Sequence, residues 1–181
     1  MTITTQGKDA RPAAAGIVVD AQDYHYTECG LDNVYISNMP VREDDHGRMV
    51  VRIPAIGLLH AVIAYELSIR DGAWSGKELR FIRTELGMTQ AKLADLVHKD
   101  RVTVNRWEGG ADIDANAETL IRIAMLEHLE GAGLFELLDL ADPPGTESLS
   151  DSARPGATNP EPVRLTLDDG VYRAEPPRVA A

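Results

Sequence analysis

Four polar or small side chains in the segment 101–108 are spaced so that one face of a helix would carry them. They are Arg101, Val102, Asn105 and Arg106. Val104 and Trp107, which are three positions apart, fall on the opposite face and can fill a gap between neighbouring helices. Guanidinium and amide groups are strong hydrogen-bonding groups. The outward face is therefore available to the major groove of DNA, whose base edges carry donors and acceptors.

Two further helices are needed to position this face. Ser75 and Glu78 have the spacing of a capping box, which predicts the start of a first helix that Gly87 ends. Thr89 can cap a second helix over 90–97, and Asp100 can cap a third over 101–108. Short helices joined by a tight turn are the geometry of a helix-turn-helix motif. The small residue Ala94 would let the second and third helices cross closely.

The segment 79–110 reads LRFIRTELGMTQAKLADLVHKDRVTVNRWEGG. Its pattern of Gln, Leu-Ala, Val and Trp-Glu-x-Gly resembles the Cro/repressor, or XRE, family of helix-turn-helix proteins. The resemblance implies a DNA-binding domain over residues 75–129 and a role in regulating transcription.

The resemblance also implies roles for individual residues. Gln90 would contact a phosphate or clasp a neighbouring base contact, and Arg83 with Glu108 would form a structural ion pair. Base edges would be read by Arg101, Val102, Asn105 and Arg106, through Arg on guanine, Asn on adenine and Val on a thymine methyl group. Lys99 and Thr103 would contact the phosphate backbone, which positions a protein without specifying sequence.

Two positions depart from the family pattern. Asp100 stands where the family shows Ser or Thr, a mild change because Asp also caps helices. His98 stands where the turn usually has Gly, and that position commonly needs a positive φ, which His adopts at some cost. We expect a slightly altered turn there, which leaves the register of Arg101 open.

Other chemistry has weaker support in the sequence. Cys29, the only cysteine, could act with His25 as a nucleophile, but nothing orients the histidine. Cys29 could also join His25, His46 and an Asp in a zinc site, but the spacing matches no standard pattern. No phosphate-binding loop or paired carboxylate arrangement is present. We therefore expect no enzyme activity, no metal and no cofactor. A single cysteine also suits a cytoplasmic location.

The net charge of −11 argues at first sight against binding to nucleic acid. The charge is unevenly distributed: residues 75–110 carry +2, whereas 1–74, 111–140 and 141–181 carry −4, −6 and −3. The only positive segment is therefore the one that contains the motif. An acidic body disfavours non-specific binding to phosphate, because such binding depends on neutralising backbone charge.

Composition divides the chain into four parts, and the predicted fold class is α+β. Residues 1–22 are read as a flexible lead. Residues 23–72 are read as a small antiparallel β unit followed by a helix over about 55–70 that is either buried or shared with a partner, and this part is expected to mediate dimerisation or partner binding. Residues 75–140 are predicted to form a five-helix bundle. Residues 141–181 are predicted to be a mostly disordered tail, with a hairpin at 163–174 as the alternative to a fluctuating end.

The segment 119–138, TLIRIAMLEHLEGAGLFELL, resembles the C-terminal half of the MqsA (YgiT-type) antitoxins, and 24–34 resembles the opening of small regulators found with such domains. This resemblance implies a homodimer on a palindromic operator, autoregulation, and a toxin protein as a candidate partner. The alternatives are a plain transcription factor and a protein-interaction module that has lost DNA binding. No stretch is long and apolar enough for a membrane span, so no membrane partner is expected.

Overall fold

The computed structural model describes residues 18–19, 23–138 and 161–175. The strands are β1 (Val18–Val19), β2 (Tyr24–His25), β3 (Val34–Ser37), β4 (Pro40–Glu43), β5 (Met49–Val51), β6 (Val163–Asp168) and β7 (Val171–Ala174). The helices are α1 (Ile56–Ile69), α2 (Gly76–Glu85), α3 (Gln90–Leu96), α4 (Arg101–Glu108), α5 (Ala115–Gly131) and α6 (Leu134–Leu138). The fold is mixed α and β, as the sequence predicts. The flexible lead at 1–22, apart from β1, and the disordered segments predicted at 141–160 and 176–181 lie outside the described residues.

Helix α1 is central to the fold. It packs against α2 and α5 on one side and against β6 and β7 on the other. Leu59, Ile63 and Leu67, spaced for one helix face, have no solvent-exposed surface. Of the two expectations for this helix, burial within the chain is therefore the one observed. Ile56, which the periodicity places on the same face, is about half exposed at the first turn.

The strands form two sheets and not the single antiparallel unit expected from the sequence. One sheet has the order β1-β4-β5 and the other has the order β2-β3-β6-β7. Strands β3 and β5 therefore do not pair with each other. Strand β5 pairs with β4 across the turn at 44–48, whereas β3 pairs with β2 and with β6. Asp44 closes that turn by accepting hydrogen bonds from the backbone of His46 and Arg48.

Of the two expectations for residues 163–174, the hairpin is the one observed and the disordered tail is not. Strand β6 pairs in parallel with β3, and β7 returns antiparallel through a turn at Asp169 and Gly170, both with positive φ. Alternate side chains of β6 are buried in the core. The hydroxyl of Tyr172 donates a hydrogen bond of 2.7 Å to the carbonyl of Pro54. An isolated hairpin is only marginally stable in water, and this one is stabilised by a sheet and a helix.

A buried arginine holds the end of α1 against α5. The guanidinium of Arg122, 1% exposed, donates to the carbonyls of Leu67, Ser68, Arg70 and Gly72 at 2.7–3.0 Å and to the carboxylate of Glu118. The last carbonyls of a helix lack partners within the helix, and Arg122 satisfies them here. Its guanidinium also lies 4.6 Å from the ring centroid of Trp74.

A second polar contact joins the β2-β3-β6-β7 sheet to the start of α2. The carboxylate of Glu78, 1% exposed, accepts hydrogen bonds from the amide of Asn33 at 3.0 Å and from Arg70 at 2.7 Å. Asn33 and Arg70 both donate to the carbonyl of Glu161, just before β6. Glu78 is thus both the capping-box residue of α2 and the residue that connects α2 to α1 and to the β3–β6 pair.

Candidate nucleic-acid interface

Helices α2, α3 and α4 form the predicted helix-turn-helix arrangement, and each begins at the predicted capping residue. Ser75 and Glu78 form a capping box, Thr89 accepts from the amide of Lys92, and the Asp100 carboxylate accepts from the amide of Thr103 at 2.7 Å. Capping satisfies amides that have no partner within the helix. The starts of all three helices are therefore fixed by their own side chains.

The inner faces of these helices pack tightly. Val104 and Trp107 of α4 are buried, as are Leu93 and Ala94 of α3. The start of α2 touches the end of α4 at Gly76, where an added Cβ would lie 2.4 Å from the carbonyl oxygen of Trp107. Only a residue without a side chain permits this approach. The predicted Ala94 crossing and this glycine contact together set the position of α4.

The outer face of α4 is open to solvent. The side chains of Arg101, Asn105 and Arg106 are exposed, and Val102 is 67% exposed. Within the described residues Arg101 and Arg106 make no hydrogen bond or ion pair at contact distance. The charge of Arg106 helps to lower the pKa of Asp100, after the larger effect of the hydrogen bond from the Thr103 amide. Thr103 is partly buried at the edge of this face.

A polar network lies between the open face of α4 and the helices behind it. Arg83 donates to Glu108 from Nε at 2.5 Å and from Nη2 at 3.3 Å, and to the Met88 carbonyl at 2.8 Å. The amide nitrogen of Gln90 lies 2.9 Å from Glu108 Oε2 and 3.4 Å from Asn105 Oδ1. Gln90 therefore contacts a residue of the open face, as expected for a residue that clasps a base contact.

Glu108 is ionised in this network. Burial is the largest single effect and acts to raise the pKa of its carboxyl. The hydrogen bonds from Arg83 and Gln90, together with the charges of Arg83 and Arg80, outweigh burial, and the pKa lies below its usual value. Its side chain is 7% exposed. A carboxylate in this position is a fixed acceptor, which determines how its neighbours can orient.

The turn before α4 keeps the geometry of a glycine-containing turn although it contains none. His98 has φ +52°, and the next amide, of Lys99, donates to the carbonyl of Ala94 at 2.9 Å. The positive φ expected at this position is therefore present, at the cost that a side chain incurs in the left-handed region.

Lys99 is less available than its predicted role as a phosphate contact requires. Its ammonium lies 3.7 Å from the carboxylate of Asp114, the residue that caps α5. Both side chains are about two-fifths exposed, so the pair is weak. Asp114 is not among the residues singled out from the sequence, although its position three residues before Ala117, at the start of an apolar helix, has the pattern of an N-cap.

The residues considered for metal or thiol chemistry are engaged elsewhere. The His25 ring stacks on Tyr35 at 4.7 Å and bonds the Asp32 carbonyl, whereas the Cys29 thiol points to the Tyr26 carbonyl at 3.9 Å. Burial raises the pKa of the Cys29 thiol, which disfavours the reactive thiolate. Among the described residues, no three His, Cys, Asp or Glu side chains are arranged to hold a metal ion.

A polar relay connects the loop after β2 to α1 and α2. The imidazole of His60 lies 2.8 Å from the hydroxyl of Tyr26 and 3.0 Å from the carboxylate of Glu85. Burial raises the pKa of Tyr26 to about 12, so its hydroxyl remains protonated. Beside the relay is an open cavity of about 530 Å³ whose wall includes Cys29 and Phe81. The relay is a contact that residue spacing along the chain does not predict.

Comparison with known proteins supports the assignment of a helix-turn-helix to this part of the chain. Residues 79–126 match a family model described as helix-turn-helix, from the middle of α2 into α5. This match supports a DNA-binding regulator of the XRE type. No curated protein and no solved structure matches the chain. Among the helices of the described residues, none combines the length and apolar character needed to cross a membrane.

Proposed function

We propose that the protein is a sequence-specific regulator of transcription, most simply a repressor, that binds double-stranded DNA through α4. The observation that carries the proposal is the open face of α4, where Arg101, Val102, Asn105 and Arg106 lie exposed on a helix whose other side is fixed by Val104 and Trp107. A rigid helix with two arginines and an amide on one face suits the major groove. The proposed role is binding and not catalysis, and it belongs in the cytoplasm with the DNA.

The distribution of charge sets the character of the proposed binding. Residues 75–110 carry +2 in a chain of −11, so general attraction to phosphate is weak. Selectivity therefore depends on the side chains that reach base edges. The main-chain amide of Gln90, at the start of α3, and the side chain of Thr103, at the edge of the open face, are proposed to contact the backbone. Lys99 contributes after it leaves Asp114.

The first experiment measures binding of the full chain to duplexes from its own upstream region by fluorescence anisotropy at several salt concentrations. We expect a sequence-selective complex that weakens as salt rises. The variant Arg106→Ala should lose about 1–3 kcal/mol of binding free energy on the selected duplex and relax selectivity at one base pair. Arg173→Ala, an exposed arginine of β7, is the matched control and should bind normally. Absence of any selective, salt-sensitive complex would contradict the proposal.

We further propose a homodimer that binds a palindromic operator with half-sites about one helical turn apart. Beyond its first turn, the apolar face of α1 does not supply the interface, because Leu59, Ile63 and Leu67 are buried within the chain. Val50 and Ile56, which are about half exposed in the N-terminal part, support a contact there. Light scattering on the free protein and on its complex with a single palindrome gives the stoichiometry, and one chain per operator would refute the dimer.

The antitoxin role rests on the likeness of 24–34 and 119–138 to antitoxin-associated proteins, and a toxin protein is its proposed partner. The neighbouring gene offers the simplest test: a small protein that arrests growth alone and co-purifies with this chain supports the role. A neighbour without toxicity favours a plain transcription factor. If selective DNA binding is absent as well, the chain is better described as a protein-interaction module.

A further inference from the structure

The hydrogen bonds between Gln90, Asn105 and Glu108 determine how the two side-chain amides are oriented, and Glu108 fixes the first of them. Its buried carboxylate accepts from Arg83 and lies 2.9 Å from the amide nitrogen of Gln90. A carboxylate has no proton to donate, so the Gln90 amide must present its NH2 group and not its carbonyl to Glu108. The choice between amide orientations, which atom positions alone leave open, is decided here by the chemistry of the partner.

The same NH2 group lies 3.4 Å from Asn105 Oδ1. An amide NH2 carries two hydrogens, so one can be donated to Glu108 and the other to Asn105. With its carbonyl held toward Gln90, Asn105 turns its own NH2 group away from the network, on the exposed face of α4. The reverse orientation of Asn105 would bring two NH2 groups face to face.

We propose that Glu108 is a positioning residue for sequence selectivity, because it makes Asn105 a hydrogen-bond donor to a base edge. This rests on the DNA binding proposed above. Guanine O6 and N7 and thymine O4 suit such a donor best, because adenine N7 also accepts but lies beside the N6 amino group, which is itself a donor. Bidentate pairing with adenine, expected from the sequence, needs the carbonyl edge of Asn105 to face the base, and Gln90 holds that edge.

The experiment selects bound duplexes from a library with randomised central positions, using the full chain. The base pair read by Asn105 is the position whose preference disappears in Asn105→Ala. The wild-type protein should prefer guanine or thymine there, by about fivefold, the order expected for one hydrogen bond. In Glu108→Gln the new amide can accept or donate, so Gln90 can reverse and Asn105 is released. The preference at that one position should then flatten or move to adenine.

Two further variants separate the effect of amide orientation on base preference from any effect on folding stability. Arg83→Lys keeps a cation beside the Glu108 carboxylate, so the carboxylate stays ionised and the variant should keep the wild-type preference. Gln90→Met removes the link to Asn105 and leaves the ion pair intact, so it should behave like Glu108→Gln even if that variant folds poorly. Thermal unfolding of each variant shows whether it is folded under the selection conditions.

Several outcomes would overturn the inference. A wild-type preference for adenine at the Asn105 position is one, and an unchanged preference in both Glu108→Gln and Gln90→Met is another. If Asn105→Ala weakens binding to all sequences equally, its partner is a phosphate and Glu108 has no role in selectivity. A wild-type protein that selects no sequence contradicts the proposed function itself, which is a different result.

Discussion

The helix-turn-helix and the four-stranded sheet β2-β3-β6-β7 are each stabilised by internal contacts. The two sets of contacts differ in how far apart in the sequence the contacting residues lie. Each cap of α2, α3 and α4 joins residues three positions apart, and the ion pair between Arg83 and Glu108 spans 25. In the sheet, β3 pairs with β6, and the hydrogen bond from Asn33 to the Glu161 carbonyl spans 128 positions. Yet both regions pack on α1 and share one core. Local patterns therefore specify one region, and the other depends on a distant segment finding its place.

The largest effect is expected at Arg122, which fixes the end of α1, the helix on which both regions pack. Arg122→Met removes the guanidinium that donates to the carbonyls at the end of α1 and leaves Glu118 without its buried counter-charge. Removing one partner of a buried ion pair costs about 3–5 kcal/mol. Urea unfolding monitored by circular dichroism measures the loss. Arg173→Met, on the surface of β7, is the control, and a cost below about 1 kcal/mol at position 122 would show that the contact is dispensable.

The sheet, which depends on pairing between distant segments, is tested at Leu165, a fully buried residue of β6. Leu165→Ala should lower the free energy of unfolding by about 2–5 kcal/mol. Hydrogen exchange should quicken in β3 and β6, while the amides of α3 and α4 keep their protection. Leu137→Ala, at a residue 67% exposed, should change stability by less than about 0.5 kcal/mol. Equal loss of protection in α4 would mean that the regions unfold together.

The packing of the helix-turn-helix is tested at Gly76. Gly76→Ala places a Cβ against the Trp107 carbonyl and forces α2 away from α4, with a cost of about 1–3 kcal/mol. Gly131→Ala near the end of α5 meets no atom within 4 Å and should be neutral or slightly stabilising. Thermal unfolding of the two variants gives the comparison directly. If both behave alike, the close approach of α2 to α4 is not a constraint.

The smallest effect is expected at the turn between α3 and α4. His98→Gly relieves a side chain at φ +52° and should stabilise the protein by up to about 1 kcal/mol. Gly87→Ala, at φ +64° between α2 and α3, should have the opposite sign. Both are measured as shifts in melting temperature. A loss of stability in His98→Gly would show that the histidine side chain contributes more than its backbone conformation costs.

These contrasts explain what the sequence could predict. The caps at Ser75, Thr89 and Asp100, the buried Val104 and Trp107, and the positive φ at His98 all follow from residue types at fixed spacing. Such signals act within one or two turns of helix. The helices of the helix-turn-helix and their open face can therefore be located from the order of residues alone.

The rest of the fold depends on contacts between residues that are far apart in the sequence, and the local spacing of residue types does not reveal those contacts. The alternation in 163–168 is compatible with a strand, but its partner is more than a hundred residues away, so local pattern alone favours a tail. Arg122 is a charged residue within an apolar helix, and nothing local indicates that four carbonyls converge on it. The pair between Lys99 and Asp114 is of the same kind, because the capping pattern of Asp114 does not reveal which cation lies beside it.

The parallel pairing of β3 with β6 has a consequence for the order of folding during synthesis. The helices from α1 to α5 occupy a continuous stretch of chain, and all of it is translated before β6. Strand β3 is made early but must wait for a partner made near the end. Domains fold as their segments emerge, and non-local strand pairing is slow. The helices of the helix-turn-helix can thus be assembled on a nascent chain whose sheet is still incomplete.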